Sequence, residues 1–334
     1  MKNNNKNNNR RKQENTSGKK GRRIRGNKGV GRGRGKVGLL NSKKITKNKI
    51  EAQPHRLEGI YIIKSDKELL ATKNLCPGEI IYGEELVTIE EKKEIEIHNN
   101  SESEKDFSSD SEYEVIQKNS LNNRNVSNIQ NIQNKLEYRI WDTFYSKLGA
   151  AIETGISNIY MKPGSKVLYL GAGNDSYSTI SHISDLVGKE GVVYAVEKSE
   201  IKGLVLKTLA KKRINIKPII YDAKIPFNYK SSIINLVDCI FANISEKDIT
   251  IILAKNAEFF LKSKGGFICV INANQNDSKN KSQKEKIDEQ IRLLKENSLY
   301  VKEYISLDNF ESGFAVVSGL FKPYRDYLDE EDSI

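Results

Sequence analysis

The chain has 334 residues, and its 55 Lys and Arg against 44 Asp and Glu give a formal net charge of +11. The excess is local: residues 1–50 carry 18 basic residues and one acid, Glu14, whereas the remainder sums to −6. No apolar run approaches the roughly 18 residues of a membrane span, and the Asn-, Lys- and Arg-rich start lacks the apolar core of a secretory signal. These features argue against a membrane protein and against a secreted one.

The three cysteines and three histidines are widely spaced and form no CxxC or CxxH pair. Two of the cysteines lie in apolar runs, so we expect buried, reduced thiols and an intracellular protein. No metal site is predicted, because no Cys or His spacing suits one. His182 lies in a helix-like stretch and is predicted to be a packed surface histidine.

Residues 1–50 are predicted to form a disordered basic tail, because they contain too few apolar groups to offset the entropy of ordering. Gly and Arg alternate between Arg22 and Lys36, and guanidinium groups on such a backbone can pair with phosphates and stack on bases. The tail therefore predicts RNA contact. A basic targeting or solubility segment is the alternative, and the two can coexist.

Residues 54–137 are predicted to form a small β-rich domain, in which short apolar runs alternate with turn residues. An acidic, Asn-rich insertion of about 90–135 interrupts it: residues 90–114 alone hold ten acids and three lysines. A loop of that length is typically disordered or an interaction segment. Regular structure is expected to resume near Leu136.

Residues 138–323 alternate strand-like and helix-like segments, and 324–334 form an acidic tail. A helix is predicted over 141–156. Further helices are expected near 178–187, 200–212, 248–263 and 283–297. Strands are predicted at 166–172, 191–197, 217–223, 236–244, 265–273, 299–307 and 314–321. This pattern predicts an α/β fold with a parallel sheet covered on both faces and a final antiparallel hairpin.

Three strand ends in this pattern predict a nucleoside site. Gly171-Ala172-Gly173 follows the first strand, Glu197 ends the second, and Asp222 ends the third. Glycines allow close approach of a ligand, and the carboxylates can accept hydrogen bonds from ribose hydroxyls and an adenine amino group. The alternative is that both acids only cap turns. A dinucleotide fingerprint needs a third glycine where Ser176 stands, so S-adenosylmethionine is favoured over NAD.

Several long segments resemble the fibrillarin family, and they are spread over residues 54–323. They include PHRLEGIYI (54–62), ATKNLCPGE (71–79), EYRIWDTFYSKLGAAI (137–152), KPGSKVLYLGA (162–172) and FAVVSG (314–319). The resemblance implies a class I S-adenosylmethionine-dependent methyltransferase (Rossmann-like) fold behind a small N-terminal β-rich domain. It also implies a nucleolar box C/D small nucleolar ribonucleoprotein, in which a guide RNA directs 2′-O-methylation of pre-rRNA ribose and Nop-domain scaffold proteins hold the enzyme.

The resemblance also implies catalytic positions, which in the family are Lys, Asp, Lys and His. Lys147 matches the first lysine, whereas Asn243, Asn272 and Phe314 stand at the other three positions. Transfer of a methyl group to a 2′-oxygen requires alignment of the reactants and removal of the hydroxyl proton. Neither amide is a carboxylate or a cation, and a phenyl ring is neither donor nor base.

The cofactor loop departs from the family pattern as well. Residues 171–179 are two residues longer than the usual loop, and Thr179 aligns with the second of its two threonines. Lys198 replaces the aromatic residue that normally follows the ribose-binding glutamate. Two functions thus remain open from sequence: a divergent rRNA 2′-O-methyltransferase, or a catalytically degenerate fibrillarin-like subunit kept for particle assembly and RNA binding.

Overall fold

The computed structural model of the chain describes residues 50–96, 129–175, 177–275 and 281–323. The predicted basic tail up to residue 49, the central part of the acidic insertion and the acidic end lie outside the described residues. Within those residues, no helix combines the length and apolar character needed to cross a membrane.

The N-terminal part is an antiparallel sheet with the strand order β1-β2-β3-β5-β4. Its strands are β1 (Glu51–Pro54), β2 (Ile60–Lys64), β3 (Glu68–Lys73), β4 (Leu86–Glu96) and β5 (Ile129–Ile140). Both faces of β2 and β3 carry buried residues, because successive side chains of a strand point to opposite faces. Ile60 and Leu70 belong to the larger core cluster, whereas Ile63 and Ala71 pack with Tyr138 in a smaller one.

The predicted limits of the acidic insertion need correction. Strands β4 and β5 pair residue by residue from Leu86↔Arg139 out to Glu96↔Ile129, so both ends of the stretch 90–135 are strand. Antiparallel neighbours satisfy each other's backbone groups, and one face of such a ladder can remain in water. An acidic, Asn-rich composition is therefore compatible with a long hairpin, and regular structure resumes at Ile129 instead of Leu136.

The second part alternates strands and helices as the apolar pattern predicts. Its strands are β6 (Lys166–Leu170), β7 (Val192–Val196), β8 (Ile216–Ile219), β9 (Val237–Ala242), β10 (Leu261–Asn272), β11 (Leu299–Ser306) and β12 (Phe314–Phe321). Its helices are α1 (Lys147–Thr154), α2 (Ser178–Val187), α3 (Glu200–Lys212), α4 (Ile249–Phe260) and α5 (Gln283–Glu296).

The seven strands lie in the order β11-β12-β10-β9-β6-β7-β8. Strands β6 to β10 are mutually parallel, whereas β12 runs antiparallel to both β10 and β11. The predicted parallel sheet with an antiparallel hairpin is confirmed. Along β6, Val167 and Tyr169 join one buried cluster and Leu168 and Leu170 the other, so both faces are covered. The order reverses between β6 and β9, which places the switch point there.

The helix predicted over 141–156 is divided at Ser146. A 3-10 turn (Thr143–Tyr145) precedes it and α1 follows, with the Ser146 hydroxyl accepting the N–H of Gly149 at 3.0 Å. A serine side chain competes for backbone groups and favours a cap over a helix interior. The break makes Lys147 the first residue of α1.

A buried ionic network joins the N-terminal sheet to α2. The Arg139 guanidinium on β5 donates to Asp185 at 2.7 Å and to Glu84 at 2.7 Å, and Arg213 pairs with the other oxygen of Asp185. All four side chains are fully buried. Buried charges persist when they are paired and hydrogen-bonded, and here two cations face two anions.

His182 is buried, which corrects the prediction of a surface histidine. Its ring stacks on Trp141 with centroids 4.7 Å apart, and its nitrogens lie 2.8 Å from the hydroxyls of Thr72 and Tyr82. Burial, and then the nearby arginine charges, hold the pKa of His182 well below its usual value. The imidazole is therefore neutral, and it adds no charge to the buried network of two arginines and two carboxylates.

Candidate functional site

The switch point is built around Gly171, which follows β6. Its φ is +84°, and its N–H donates to Val196 O at 2.9 Å. A Cβ at this position would lie 2.3 Å from the carbonyl oxygen of Asn243, closer than any side chain allows. Only glycine permits the ends of β6 and β9 to approach this closely and the chain to turn.

Glu197 is fixed at the end of β7 by two backbone donors. Its Oε2 accepts the N–H of Gly173 at 3.0 Å, and its Oε1 accepts the N–H of Ser199 at 2.9 Å. The side chain thus caps both turns, as the capping alternative predicts, and it also lines a cavity. Each carboxylate oxygen has a second acceptor site, so the same group can receive ribose hydroxyls.

The cavity beside Gly171 has an empty volume of about 550 Å³, including its open mouth. Glu197 and Asp222 both line it, as predicted, and four apolar side chains complete its walls: Val196, Ala223, Ile244 and Ile252. Two acceptor carboxylates over apolar walls suit an adenosine group.

Tyr221 is the aromatic side chain of this cavity, and no sequence pattern indicated it. The residue is 47% exposed, and its ring centroid lies 6.3 Å from that of Tyr229, which stacks on Phe260 with centroids 5.5 Å apart. The two inner rings are buried. An aromatic column therefore rises from the core and ends at the cavity. The only sign of Tyr221 in the sequence is its position immediately before Asp222.

Lys198, which replaces the expected aromatic, turns to an ion pair at the rim. The Glu246 carboxylate accepts from Lys198 and, at 2.9 Å, from Lys224. These two hydrogen bonds hold the pKa of Glu246 below its usual value. These ion pairs join the loops that follow β7, β8 and β9, and the Glu246 carboxylate balances the charge of Lys198.

The lengthened loop carries a second residue that was not predicted from the sequence, Asp175. Its Oδ2 accepts the Tyr169 hydroxyl at 3.0 Å, whereas Oδ1 is buried without a hydrogen bond of ordinary geometry. Burial raises the pKa of Asp175 to about 6, even though Thr179 and Tyr169 hydrogen bonds act to lower it. The extra loop length was the only sign of this carboxyl group.

Two predicted cofactor residues do not direct their side chains into the cavity. The Ala172 methyl is buried in the core cluster on the α1–α2 side of the sheet. The Thr179 hydroxyl lies 2.7 Å from that of Ser146, the cap of α1. Instead, Asn174 and Lys202 line the cavity, joined by a 3.0 Å hydrogen bond from the Lys202 ammonium.

The structure brings the predicted acceptor residues to one edge of the sheet. Asn272 and Phe314 are directly opposed in the β10–β12 pair, and the Lys147 ammonium lies 4.7 Å from the Phe314 ring centroid. Lys147 also forms an ion pair with Glu311. Asn243 follows the adjacent β9, where its backbone N–H donates to Leu170 O at 2.9 Å. Two amides, a lysine and a phenyl ring thus occupy the acceptor side.

Among the described residues, no group of three or more His, Cys, Asp or Glu side chains could hold a metal ion. Burial raises the pKa of the Cys239 thiol far above its usual value and that of Cys269 to about 12. Both thiols are therefore protonated and chemically inert as nucleophiles. The reactive polar groups of the site are the carboxylates, amides and lysines named above.

Comparisons with known proteins agree with this geometry. The sequence model of the fibrillarin family matches residues 52–323. The "rRNA 2′-O-methyltransferase fibrillarin" of Encephalitozoon cuniculi is 39% identical over 310 residues, which cover 91% of this chain and 90% of that protein.

Two solved structures are similar as well. Aeropyrum pernix fibrillarin with natively bound S-adenosyl-L-methionine superposes with a TM-score of 0.60 at 26% identity, covering 81% of this chain and 99% of that one. A chain of a fibrillarin/Nop5p complex superposes with a TM-score of 0.51 at 33% identity, covering 56% and 85%.

Proposed function

This chain belongs to the fibrillarin family, and from that premise we propose that it transfers a methyl group from S-adenosylmethionine to ribose 2′-hydroxyls of rRNA. The observation that carries the proposal is the switch-point cavity with Gly171, Glu197 and Asp222 at three strand ends. The fold is that of class I S-adenosylmethionine-dependent methyltransferases.

The residues present fit that cofactor. Gly171 lines the cavity, and its missing Cβ lets the Asn243 carbonyl pack against the turn, while Glu197 is held by two N–H groups with acceptor capacity to spare. Asp222 uses Oδ1 to accept the N–H of Lys224 at 2.9 Å, which orients the carboxylate at the cavity. When bound, S-adenosylmethionine supplies an electrophilic methyl group on a cationic sulfur.

The chain's own task is to place the attacking hydroxyl, whose proton passes to solvent water as the methyl group is transferred. Lys147 begins α1 next to the acceptor edge, and its ammonium is fixed by Glu311 and the Phe314 ring. A fixed cation can orient an RNA phosphate or the attacking oxygen. Asn243 and Asn272 can hydrogen-bond the acceptor ribose but cannot take up a proton at neutral pH.

We further propose the setting of the reaction: a nucleolar particle containing a box C/D guide RNA, pre-rRNA and Nop-domain scaffold proteins. The similarity to a chain of a fibrillarin/Nop5p complex supports a scaffold partner of that kind. Guide–target pairing would then select the nucleotide. The enzyme itself needs no base-reading surface in such an arrangement.

A second function is supported by the acceptor side: a catalytically degenerate subunit kept for particle assembly. Three polar positions of the family are occupied by Asn243, Asn272 and Phe314, and Lys147 is engaged with Glu311. Removal of one positioned catalytic group commonly lowers a rate by about two to four orders of magnitude. Effects within one catalytic unit are not additive, so residual turnover is compatible with this site.

One experiment separates the two functions. The full-length chain is assembled with guide RNA, target RNA and a scaffold protein, and methyl transfer is measured for the wild type and for Lys147→Ala. Transfer that falls in the variant supports an enzyme. Binding of S-adenosylhomocysteine and normal assembly without transfer would favour the degenerate subunit. No calorimetric heat at saturating S-adenosylhomocysteine would contradict the cofactor assignment itself.

A further inference from the structure

We propose that a cationic groove at the amino end of the large sheet binds the sugar–phosphate backbone of RNA. This inference rests on the proposed function for its choice of partner. We call the feature the basal groove. Its basic lining residues are Arg56, Lys162, Lys166, Lys262 and Lys264, and its acidic ones are Glu58 and Asp238.

The basal groove is positively charged, although the chain after residue 50 carries a net negative charge. The groove sums to +3 from its lining residues, whereas the chain after residue 50 sums to −6. Asp238 is already engaged, because one oxygen accepts the N–H of Lys166 at 2.8 Å and the other pairs with Lys262. Lys162 and Lys264 are exposed and have no ion pair with any carboxylate that the structure describes. Two ammonium groups are therefore available to an anion.

Arg56, which also lines the groove, is held in place by backbone carbonyls. Its guanidinium donates to the carbonyl of Ser157 at 2.8 Å and to that of Ile156, so it keeps its full charge without a carboxylate. The fixed arginine comes from the segment between β1 and β2, whereas the lysines come from β6, β10 and the loop before β6. The basic lining residues thus come from three separate parts of the chain.

The backbone that presents the lysines is conformationally strained. Lys264 has a φ of 57° and Tyr160, on the facing loop, a φ of 55°. Left-handed conformations of residues other than glycine are strained, and they cluster at functional sites. The register between β9 and β10 also shifts between Leu261 and Gly266, and bulges of this kind redirect side chains. The shifted segment is the one that carries Lys262 and Lys264.

The size and place of the groove favour an extended polyanion. Its empty volume is about 1470 Å³ with the open solvent it contains, more than twice that of the cofactor cavity. Lys166 begins β6 and Gly171 follows its end, and a strand of five residues spans roughly 17 Å. RNA in the groove therefore lies away from the ribose that is methylated. The groove would hold a flanking stretch of the same RNA or of its guide.

The test uses the full-length chain, so the basic N-terminal segment is the same in every sample. Binding of a fluorescein-labelled RNA duplex is followed by anisotropy across a series of KCl concentrations. The groove variant combines Lys162→Gln with Lys264→Asn, since asparagine tolerates a positive φ. The matched control combines Lys217→Gln with Lys302→Gln, two exposed lysines outside the groove. Each phosphate contact contributes about 0.9 to the slope of log K against log salt.

We expect the groove variant to bind more weakly and with a slope shallower by about 1.8, while the control keeps the wild-type slope. Equal slopes in all three proteins, or equal changes in both variants, would overturn the proposal. Tighter RNA binding by the groove variant would also overturn it, because the two lysines would then oppose binding. Calorimetry with S-adenosylhomocysteine is run on the same samples. Failure of the wild type to bind that ligand would contradict the proposed function and leave the groove result standing.

Discussion

The Lys147 ammonium faces the Phe314 ring at a distance of 4.7 Å from the ring centroid, at the edge where β10 and β12 meet. A cation over an aromatic face is stabilised by the ring quadrupole, and Glu311 completes the ammonium's surroundings. The lysine is therefore ordered without any polar group at position 314. With a phenyl ring at this position in place of a titratable group, the edge is well packed and poor in proton acceptors.

Restoring the polar groups is predicted to raise methyl transfer. In the assembled particle, the triple variant Asn243→Asp, Asn272→Lys and Phe314→His should increase the single-turnover rate by about 10²-fold or more, because it supplies a carboxylate, a cation and an imidazole together. Phe227→His, at a position that is 73% exposed and outside the cavity lining, is the control. An unchanged rate in the triple variant would mean that these positions do not form the acceptor site.

Tyr221 is predicted to support the adenine ring of the cofactor. Tyr221→Ala should weaken S-adenosylhomocysteine binding by about tenfold, since stacking of a base on an aromatic ring contributes about 1–3 kcal/mol and about 1.4 kcal/mol is a factor of ten. Tyr221→Phe should retain the wild-type affinity. Calorimetric titration of both variants, with Phe227→Ala as the control, tests this prediction. If Tyr221→Ala bound S-adenosylhomocysteine as tightly as the control, the Tyr221 ring would have no part in cofactor binding.

Much of the fold could be predicted because the central strands β6, β7 and β9 are buried on both faces, so that each appears in the sequence as a continuous apolar run. Gly171, Glu197 and Asp222 could be placed for a related reason: parallel strands bring their ends to one edge. Asp175 and Tyr221 could not, because their roles depend on the path of a lengthened loop and on an aromatic column reaching back to Phe260.

The burial of His182 could not be predicted from the sequence either. Its two hydrogen-bond partners, Thr72 and Tyr82, are 110 and 100 residues away along the chain. A helical period locates a histidine on one face of α2 but does not tell which element will cover that face. The same holds for Arg139, whose partners lie on β-sheet loops and α2. Long-range polar contacts are thus where sequence patterns give least guidance.

The buried network around Arg139 predicts a large loss of stability on disruption. Arg139→Leu should lower the free energy of unfolding by about 3–5 kcal/mol, because it leaves two carboxylates buried with one fewer cation. Lys64→Leu, which removes an exposed pair with Glu68, should cost at most about 1 kcal/mol. Urea denaturation of both variants provides the comparison. A loss below about 1 kcal/mol for Arg139→Leu would show that water or a rearrangement relieves the uncompensated charge.

The basic segment at the start of the chain is predicted to add salt-sensitive RNA affinity that does not depend on sequence. Deletion of residues 1–49 removes 18 basic residues and one acid. We expect weaker binding to unrelated RNA duplexes and a shallower salt dependence, by about 0.9 for each phosphate that the segment neutralises. Binding of S-adenosylhomocysteine should not change. Equal RNA affinity and slope before and after deletion would assign the segment to another role, such as targeting.

The carboxyl group of Asp175 predicts a pH dependence of stability with a definite sign. Its pKa is raised from 3.8 to about 6, so between these values the unfolded chain has lost the proton that the folded chain still holds. This group therefore favours folding at low pH, and its contribution to stability falls as the pH rises towards 6. One pKa unit corresponds to about 1.36 kcal/mol, which sets an upper limit of roughly 3 kcal/mol for the loss.

Asp175→Asn should remove that dependence while keeping an acceptor for the Tyr169 hydroxyl. Relative to the wild type, the variant is expected to gain stability between about pH 4 and pH 7, by up to roughly 3 kcal/mol, and to show no gain at the acidic end. Urea denaturation of both proteins across this range gives the difference, in which the titration of all other groups cancels. A difference that is constant with pH would show that the Asp175 carboxyl titrates with an ordinary pKa in the folded chain.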